Sequence, residues 1–324
     1  MAAEKRTGID VIIPTYHPDE RFDLLITRLN QQTIKPDHII IIRTKGQRSR
    51  RTAFGKKISR FAINVGAYKT YQNIKIVEIE KEEFDHGGTR NLGASFSDAE
   101  FLLFMTQDAV PMNPYLIERI LRDFEDKNTA VVYGRQVAAR NAGEIETFVR
   151  RFNYPPKGCK KTMRDLSRLG IKTYFNSNTC SCYRRSVFDA LGGFVSPTNF
   201  NEDMFFGAEA IRSGYAICYE ARAKVMHSHK YSWMAQLRRN FDNGVSQRQY
   251  REIVGDAAAE GEGIRLVKEM TVHLIKKGKF LLIPMFYAEC VFRYVGFFLG
   301  KHYELLPEAV CKRLSLNRKF WIRK

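Results

Sequence analysis

The sequence predicts an α/β protein: an open, mostly parallel sheet covered by helices, followed by a C-terminal helical extension. Three observations carry that expectation. Short apolar runs alternate with amphipathic stretches through the first hundred residues, and polar residues close each run. From about residue 235 the alternation gives way to basic, aromatic-rich helical sequence. Strands separated by helices pair in parallel through crossovers, and such a sheet is buried on both faces.

The elements follow in order. "IDVII" (9–13) is a first strand, ended by Pro14 and a turn. Phe22, Leu25, Ile26 and Leu29 then recur at helical spacing. "HIIIIRT" (38–44) is a second strand and "IKIVEIE" (74–80) a third, while "NLGASFSDA" (91–99) fits a helix and "EFLLFMTQD" (100–108) a fourth strand. In open sheets of this kind ligands bind beyond the carboxyl ends of the strands, where Thr15, Arg43 and Asp108 sit. The expected division is a main domain over 1–235, with halves meeting near residue 110, and a helical region over 236–324.

Composition narrows the class. With 44% hydrophobic and 27% charged residues in 324, the chain can bury a large core and is not a disordered one. Its 53 Lys and Arg against 35 Asp and Glu give +18, a field that attracts polyanions: nucleic acid, an anionic bilayer or phosphorylated small molecules. Residues 43–60 concentrate this charge, as a solvated loop or as an arm that touches phosphates or headgroups. The six cysteines lack zinc-type spacing; Cys180 and Cys182 would share one strand face, and all six are expected to be reduced in a cytosolic protein. "MAAEKRTG" has no apolar core, so no secretory leader is expected.

In the C-terminal region "GDAAAEGEG" (255–263) looks like a joint. Phe280 to Gly300 approaches membrane-spanning length but carries Glu289 and Arg293 one helical turn apart. A helix lying in the membrane interface beside Lys276, Lys277 and Lys279 fits, and so does a helical pair packed on the main domain.

One stretch resists a purely structural account. "NEDMFFGAEAIRSGYAIC" (201–218) places Glu202 and Asp203 at a helix start, where acids are tolerated because free N–H groups and the helix dipole stabilise them. Capping alone would explain the pair. Its companions are "VIIPTYHP" (11–18), "FDHGGTRNLGAS" (84–95), "LLFMTQDAVP" (102–111), "LGGFVSPTNFNEDMFFGAEAIRSGY" (191–215) and "YEARAKVMHSHKYS" (219–232). In this order and spacing, over about 9–235, the chain resembles glycosyltransferase family 2, inverting enzymes of the GT-A fold. It is most similar to bacterial rhamnosyltransferases and related polysaccharide enzymes.

The resemblance implies the following roles. Asp203 is the general base that takes the acceptor's hydroxyl proton, with Glu202 orienting acceptor or base. The dipole at the helix start would keep Asp203 ionised. Pro14, Thr15 and Tyr16 hold the nucleoside; Asp85, Gly88, Arg90 and Asn91 approach the diphosphate, with Arg90 pairing its oxygens. The family's metal-binding D-x-D becomes Thr106-Gln107-Asp108, leaving Asp108 as metal ligand and Gln107 beside the donor. His229, with His227 second, is a further ligand for a divalent Mn or Mg, and imidazole suits Mn better. Gly192 and Gly193 let the chain turn beneath the acceptor, and Tyr183, Arg184 and Arg185 fall toward it.

The implied partners are a nucleotide-diphosphate sugar, with dTDP-rhamnose the best guess, a lipid-linked glycan acceptor and an anionic membrane surface on the cytoplasmic side. Nucleic acid is not expected: a nucleic-acid-binding protein would explain the charge but not the acidic pair, and no such motif is present. An inactive adaptor on the same scaffold is the other alternative, prompted by the reduced D-x-D. Nothing in the sequence fixes an oligomeric state.

Overall fold

β1 (Ile9–Thr15) is apolar on both faces and lies between two parallel neighbours, β2 (His38–Thr44) and β4 (Phe101–Met105). Val11 opposes Ile39 on one side and Leu103 on the other, so three apolar runs make one slab. The computed structural model describes residues 8–46, 71–229, 231–255 and 260–322. Most of the basic stretch 43–60 lies outside them.

β3 (Ile74–Ile79) extends the slab beyond β2, giving four parallel strands in the order β3-β2-β1-β4. α1 (Glu20–Asn30) starts where the Asp19 carboxylate accepts the Arg21 N–H, and it buries Phe22, Leu25, Ile26 and Leu29 against the sheet. α2 (His86–Ser95) covers the other face.

The second half mixes directions. After the short β5 (Val110–Pro111) and α3 (Leu116–Arg122) comes β6 (Thr129–Val137), then α4 (Glu144–Asn153) and β7 (Cys159–Lys161). β8 (Cys180–Arg184) inserts antiparallel between β4 and β6, followed by α5 (Arg185–Ala190), α6 (Glu202–Arg212) and β9 (Ala216–Met226). β9 runs parallel to β6 and continues the order as β4-β8-β6-β9-β5, with β7 on β9. Cys180 and Cys182 face the same core, and all six cysteines are free.

Tyr183 is fully buried, while Arg184 donates to the Phe124 and Thr129 carbonyls and Arg185 to those of Ala99 and Ser97. The two arginines brace the edges of β8 rather than approach the acceptor, because their guanidinium groups satisfy carbonyls that the antiparallel insertion leaves open.

The C-terminal region is helical. α7 (Trp233–Gln249) and α9 (Leu282–Lys301) pack backbone to backbone: a Cβ at Gly296 would strike the Leu237 carbonyl, and one at Gly300 that of Phe241. α8 (Glu260–Lys276) joins α9 over α4, where Met270, Leu274 and Phe286 meet Ile145, Phe148 and Val149. Its helical start at Glu260 corrects the expectation of a joint through 263; residues 256–259 lie outside the described ones. α10 (Glu308–Leu314) is followed by a 3-10 turn over Arg318–Ile322, and Asp242 of α7 accepts from Asn199 Nδ2 (2.7 Å) and the Leu316 N–H (2.8 Å). The last helices are thereby fastened to the loop that leads into α6.

Candidate active site

The carboxyl ends of β4, β6 and β9 open into a cavity of about 800 Å³, lined on its other sides by α4, α7 and α9; Pro14, Thr15, Tyr16 and Gln107 are not among its lining residues. Asp108, Glu202, Asp203, His227 and His229 all line it.

At one end, β9 runs out into His227-Ser228-His229, whose alternation turns both rings toward Asp108. One ligand atom from each of the three lies within 4.8 Å of the others. His229 Nε2 is 2.9 Å from Asp108 Oδ2, and His227 Nε2 is 2.8 Å from His229 Nε2. The tautomer of His227 follows from its neighbours. Gln136 Oε1 accepts from Arg150, so His227 Nδ1, 2.9 Å from that oxygen, must donate to it. Its Nε2 lone pair then faces Asp108. Burial pushes His227 down to about 3, which keeps it neutral.

Burial alone would raise Asp108; the hydrogen bond from His229 and the positive charge of Arg21 help to override it and hold the carboxyl well below the usual range. Thr106 Oγ1 is buried without a hydrogen-bond partner. A carboxylate, two imidazole nitrogens and one orphaned hydroxyl are a donor set that fits a divalent cation, Mn²⁺ better than Mg²⁺.

At the other acidic group, α6 opens from Asn201, which sits in the left-handed region at φ 66°. Asp203 Oδ2 accepts the Asn178 N–H at 2.9 Å and Oδ1 the Met204 N–H at 2.8 Å. Glu202 is buried, paired with Arg90 at 3.2 Å, and accepts from Asn178 Nδ2 at 3.0 Å. Tyr183 fixes Asn178 in turn by donating to its Oδ1 at 2.8 Å.

Burial and the adjacent Glu202 charge push Asp203 up to about 7. Burial would also raise Glu202, but Arg90, His86 and the Asn178 hydrogen bond lower it. The expectation that the helix start would keep Asp203 ionised is corrected here. Desolvation and a neighbouring anion outweigh two backbone N–H groups.

The α2 residues expected at the donor serve the frame. Asp85 caps α2, accepting from Gly87, Gly88, Ser196 and Thr198. Gly88 leaves room for that carboxylate, and Asn91 clamps Phe194 through both its N–H and its carbonyl. Arg90 is only 5% exposed, lines the cavity and pairs with Glu202 in this structure. Gly192 and Gly193, at φ 79° and 73°, do form the turn that brings Phe194 back to Asn91.

Near Asp108, Gln107 exchanges two hydrogen bonds with the Tyr16 backbone, at 2.8 and 3.1 Å, and Lys81 donates to the Tyr16 hydroxyl. Pro14 and the buried Thr15 lead into Tyr16 at the end of β1.

Several residues of the site escaped the sequence reading: Asn178, Gln136 and Arg239 in the cavity wall, and Arg21, 3.5 Å from Asp108. Arg239 lies over the Phe200 ring at 4.7 Å and the Tyr231 ring at 5.6 Å, with no carboxylate within ion-pair distance among the described residues. The stretch "QLRRN" that contains it read only as basic helix. Asn178 had no signal, since its role exists only once β8 is in place.

Comparison with known proteins decides the family. The sequence pattern described as glycosyl transferase family 2 matches residues 10–192. The chain is 36% identical over 315 residues to the O-antigen chain rhamnosyltransferase RfbN of Salmonella typhimurium, covering 97% of this chain and 96% of that one. It is 38% identical over 314 residues to the O-antigen chain rhamnosyltransferase WbaN of Salmonella anatum, covering 96% and 95%. The chain belongs to glycosyl transferase family 2.

This family 2 glycosyltransferase has the GT-A fold. The mannosyltransferase PcManGT from Pyrobaculum calidifontis, solved with GDP-Man and Mn²⁺, superposes with a TM-score of 0.61 at 12% identity, over 92% of this chain and 88% of that one. S. aureus TarS superposes at 0.56 with 17% identity, over 98% and 87%. At such identities the fold alone is shared.

Proposed function

We propose that the protein is an inverting rhamnosyltransferase of cell-surface polysaccharide synthesis. It moves rhamnose from dTDP-rhamnose to a hydroxyl of a lipid-linked glycan at the cytoplasmic face of the membrane. The names of its two relatives support the sugar and the pathway. The observation that carries the chemistry is one cavity holding both an acid near neutrality, Asp203, and an acid kept anionic beside two histidines, Asp108.

Asp203 takes the proton of the attacking hydroxyl. A base whose pKa lies near the working pH is both deprotonated often enough and strong enough. Asn178 aims its carboxylate, and Arg90 keeps Glu202 charged beside it. At the far end Asp108, His229 and His227 would hold a divalent cation, which would supply positive charge for the departing diphosphate. Tyr16, Thr15, Pro14 and Gln107 bound the nucleoside, and Arg239, with no ion-pair partner among the described residues, faces phosphate oxygens.

α9 supports membrane attachment. It is 20 residues long with a mean hydropathy of 1.4, apolar enough to cross a bilayer. One face is fixed in the fold, and Glu289 and Arg293 line the cavity. Tyr287, Val291, Tyr294 and Phe298 stay exposed along the outer face, and Leu281 before it is 88% exposed. With Lys276, Lys277 and Lys279 alongside, the helix lies in the surface of an anionic bilayer instead of crossing it.

A melting screen of sugar nucleotides with and without Mn²⁺ or Mg²⁺ tests the donor. dTDP-rhamnose with Mn²⁺ should raise Tm above every UDP- and GDP-sugar. If no nucleotide diphosphate shifts melting, the donor site is misassigned.

A further inference from the structure

The donor, metal and base account for one side of the cavity. The other side is walled by α7 and α9, which contribute Trp233, Gln236, Asn243, Met285, Glu289 and Arg293. Its chemistry differs from that at Asp108. Trp233 is 43% exposed, its ring 5.7 Å from Phe292. Glu289 is paired with Arg293 and accepts from Gln236 Nε2 at 3.2 Å. Two polar atoms here, Arg293 Nε and Asn243 Oδ1, are buried without a hydrogen-bond partner.

A wall of this composition suits a neutral, hydroxyl-rich ligand. The Glu289–Arg293 pair carries no net charge, and a bare carboxylate would repel a diphosphate. Planar amide, carboxylate and guanidinium groups can each bond adjacent hydroxyls, while an exposed indole face covers the C–H face of a sugar ring. The orphaned nitrogen and oxygen supply a donor and an acceptor that buried polar groups ordinarily use. A helix pair built only for packing or for lipid would not need a charged pair turned inward.

We infer that this wall is the acceptor subsite, where the terminal pyranose of the glycan stacks on Trp233 and its hydroxyls bond Glu289, Arg293, Gln236 and Asn243. The assignment rests on the transferase reading of the cavity. It places acceptor recognition in the C-terminal helices, outside the stretch 10–192 that defines the family. The aromatic contacts provide continuity: the Tyr231 ring, between His229 at 5.1 Å and Arg239, joins the metal end to α7. α9 then has two duties, an outer face on the bilayer and an inner face on the glycan that bilayer carries.

The test uses the full chain with dTDP and Mn²⁺ present and methyl glycosides of rhamnose, galactose, mannose and glucose as probes. Only two tryptophans exist, and Trp321 is buried in the C-terminal cluster, so glycoside binding should change emission from Trp233. One glycoside should do so saturably, and Trp233→Phe should lose the response. With that glycoside as acceptor, Trp233→Ala and Glu289→Gln should each raise its KM at least tenfold in a nucleotide-release assay. The melting shift given by the donor should stay within a degree of the native value. Unchanged KM in both variants overturns the subsite, as does a donor shift that collapses with the acceptor effect. Failure of the transferase reading is distinct: no nucleotide would shift the native protein at all.

Discussion

Two carboxylates share one cavity in opposite states. Asp108 is held as an anion by the His229 hydrogen bond and the nearby Arg21, whereas Asp203, buried next to Glu202, is pushed up to about 7. Their immediate surroundings differ in sign, and that alone separates a group suited to bind positive charge from one suited to accept a proton. The arrangement also answers why a chain of +18 places acids side by side at a helix start. Glu202 keeps its neighbour basic, and Arg90 keeps Glu202 charged.

Breaking the basic end should have the largest effect. Asp203→Asn removes the proposed proton acceptor while keeping shape, and kcat should fall about 10³-fold or more. Donor-induced melting shifts should persist, and their loss would mean that Asp203 binds rather than reacts. An inactive adaptor would show no turnover to lose.

Breaking the anionic end comes next. Asp108→Asn or His229→Ala should abolish the Mn²⁺-dependent part of the melting shift and cut turnover about 10²-fold, with partial recovery at high Mn²⁺. Retention of full Mn²⁺ dependence in both variants would show that the cation binds elsewhere.

A smaller effect sharpens the contrast. In the native enzyme kcat/KM should rise with pH through about 7 and then level, since the base must lose its proton. Glu202→Gln removes the adjacent anion and leaves Arg90 closer to uncompensated. Both changes favour the Asp203 carboxylate, so the midpoint should move down by about one pH unit. An unmoved midpoint would assign the titration to another group.

How much of this was legible in the sequence differs between the same two regions. β1, β2 and the helical face of Phe22 to Leu29 follow from local pattern, while Asp108, His227 and His229 are picked out by the family resemblance, and the structure brings them together. The surroundings of Asp203 depend on β8 entering antiparallel and carrying the Asn178 loop beneath α6, a long-range pairing with no local signal. The same blindness affected α2. Its glycines, Asp85 and Asn91 suggest a phosphate loop, but the residues they meet, 194–198, lie about a hundred positions away. Arg90 read as a free cation for the same reason, its partner being Glu202.

The smallest expected effect concerns stability, and its sign is fixed by the direction of the Asp203 shift. An unfolded aspartate titrates near 3.9, the folded one near 7. Between these values the folded protein holds a proton that the unfolded chain has released, so stability declines as pH rises from about 4 to 7 and the decline stops above. Asp203→Asn cannot ionise and escapes that loss. Its Tm relative to native protein should therefore climb across this window, by roughly 3 °C or more at pH 8, while the two differ least near pH 4. Asp108 serves as the internal control. Its folded pKa lies below the unfolded one, so Asp108→Asn should differ least from native protein in strong acid and lose stability above it. Parallel pH dependence for the two variants would mean that the two ends of the cavity are not held in opposite states.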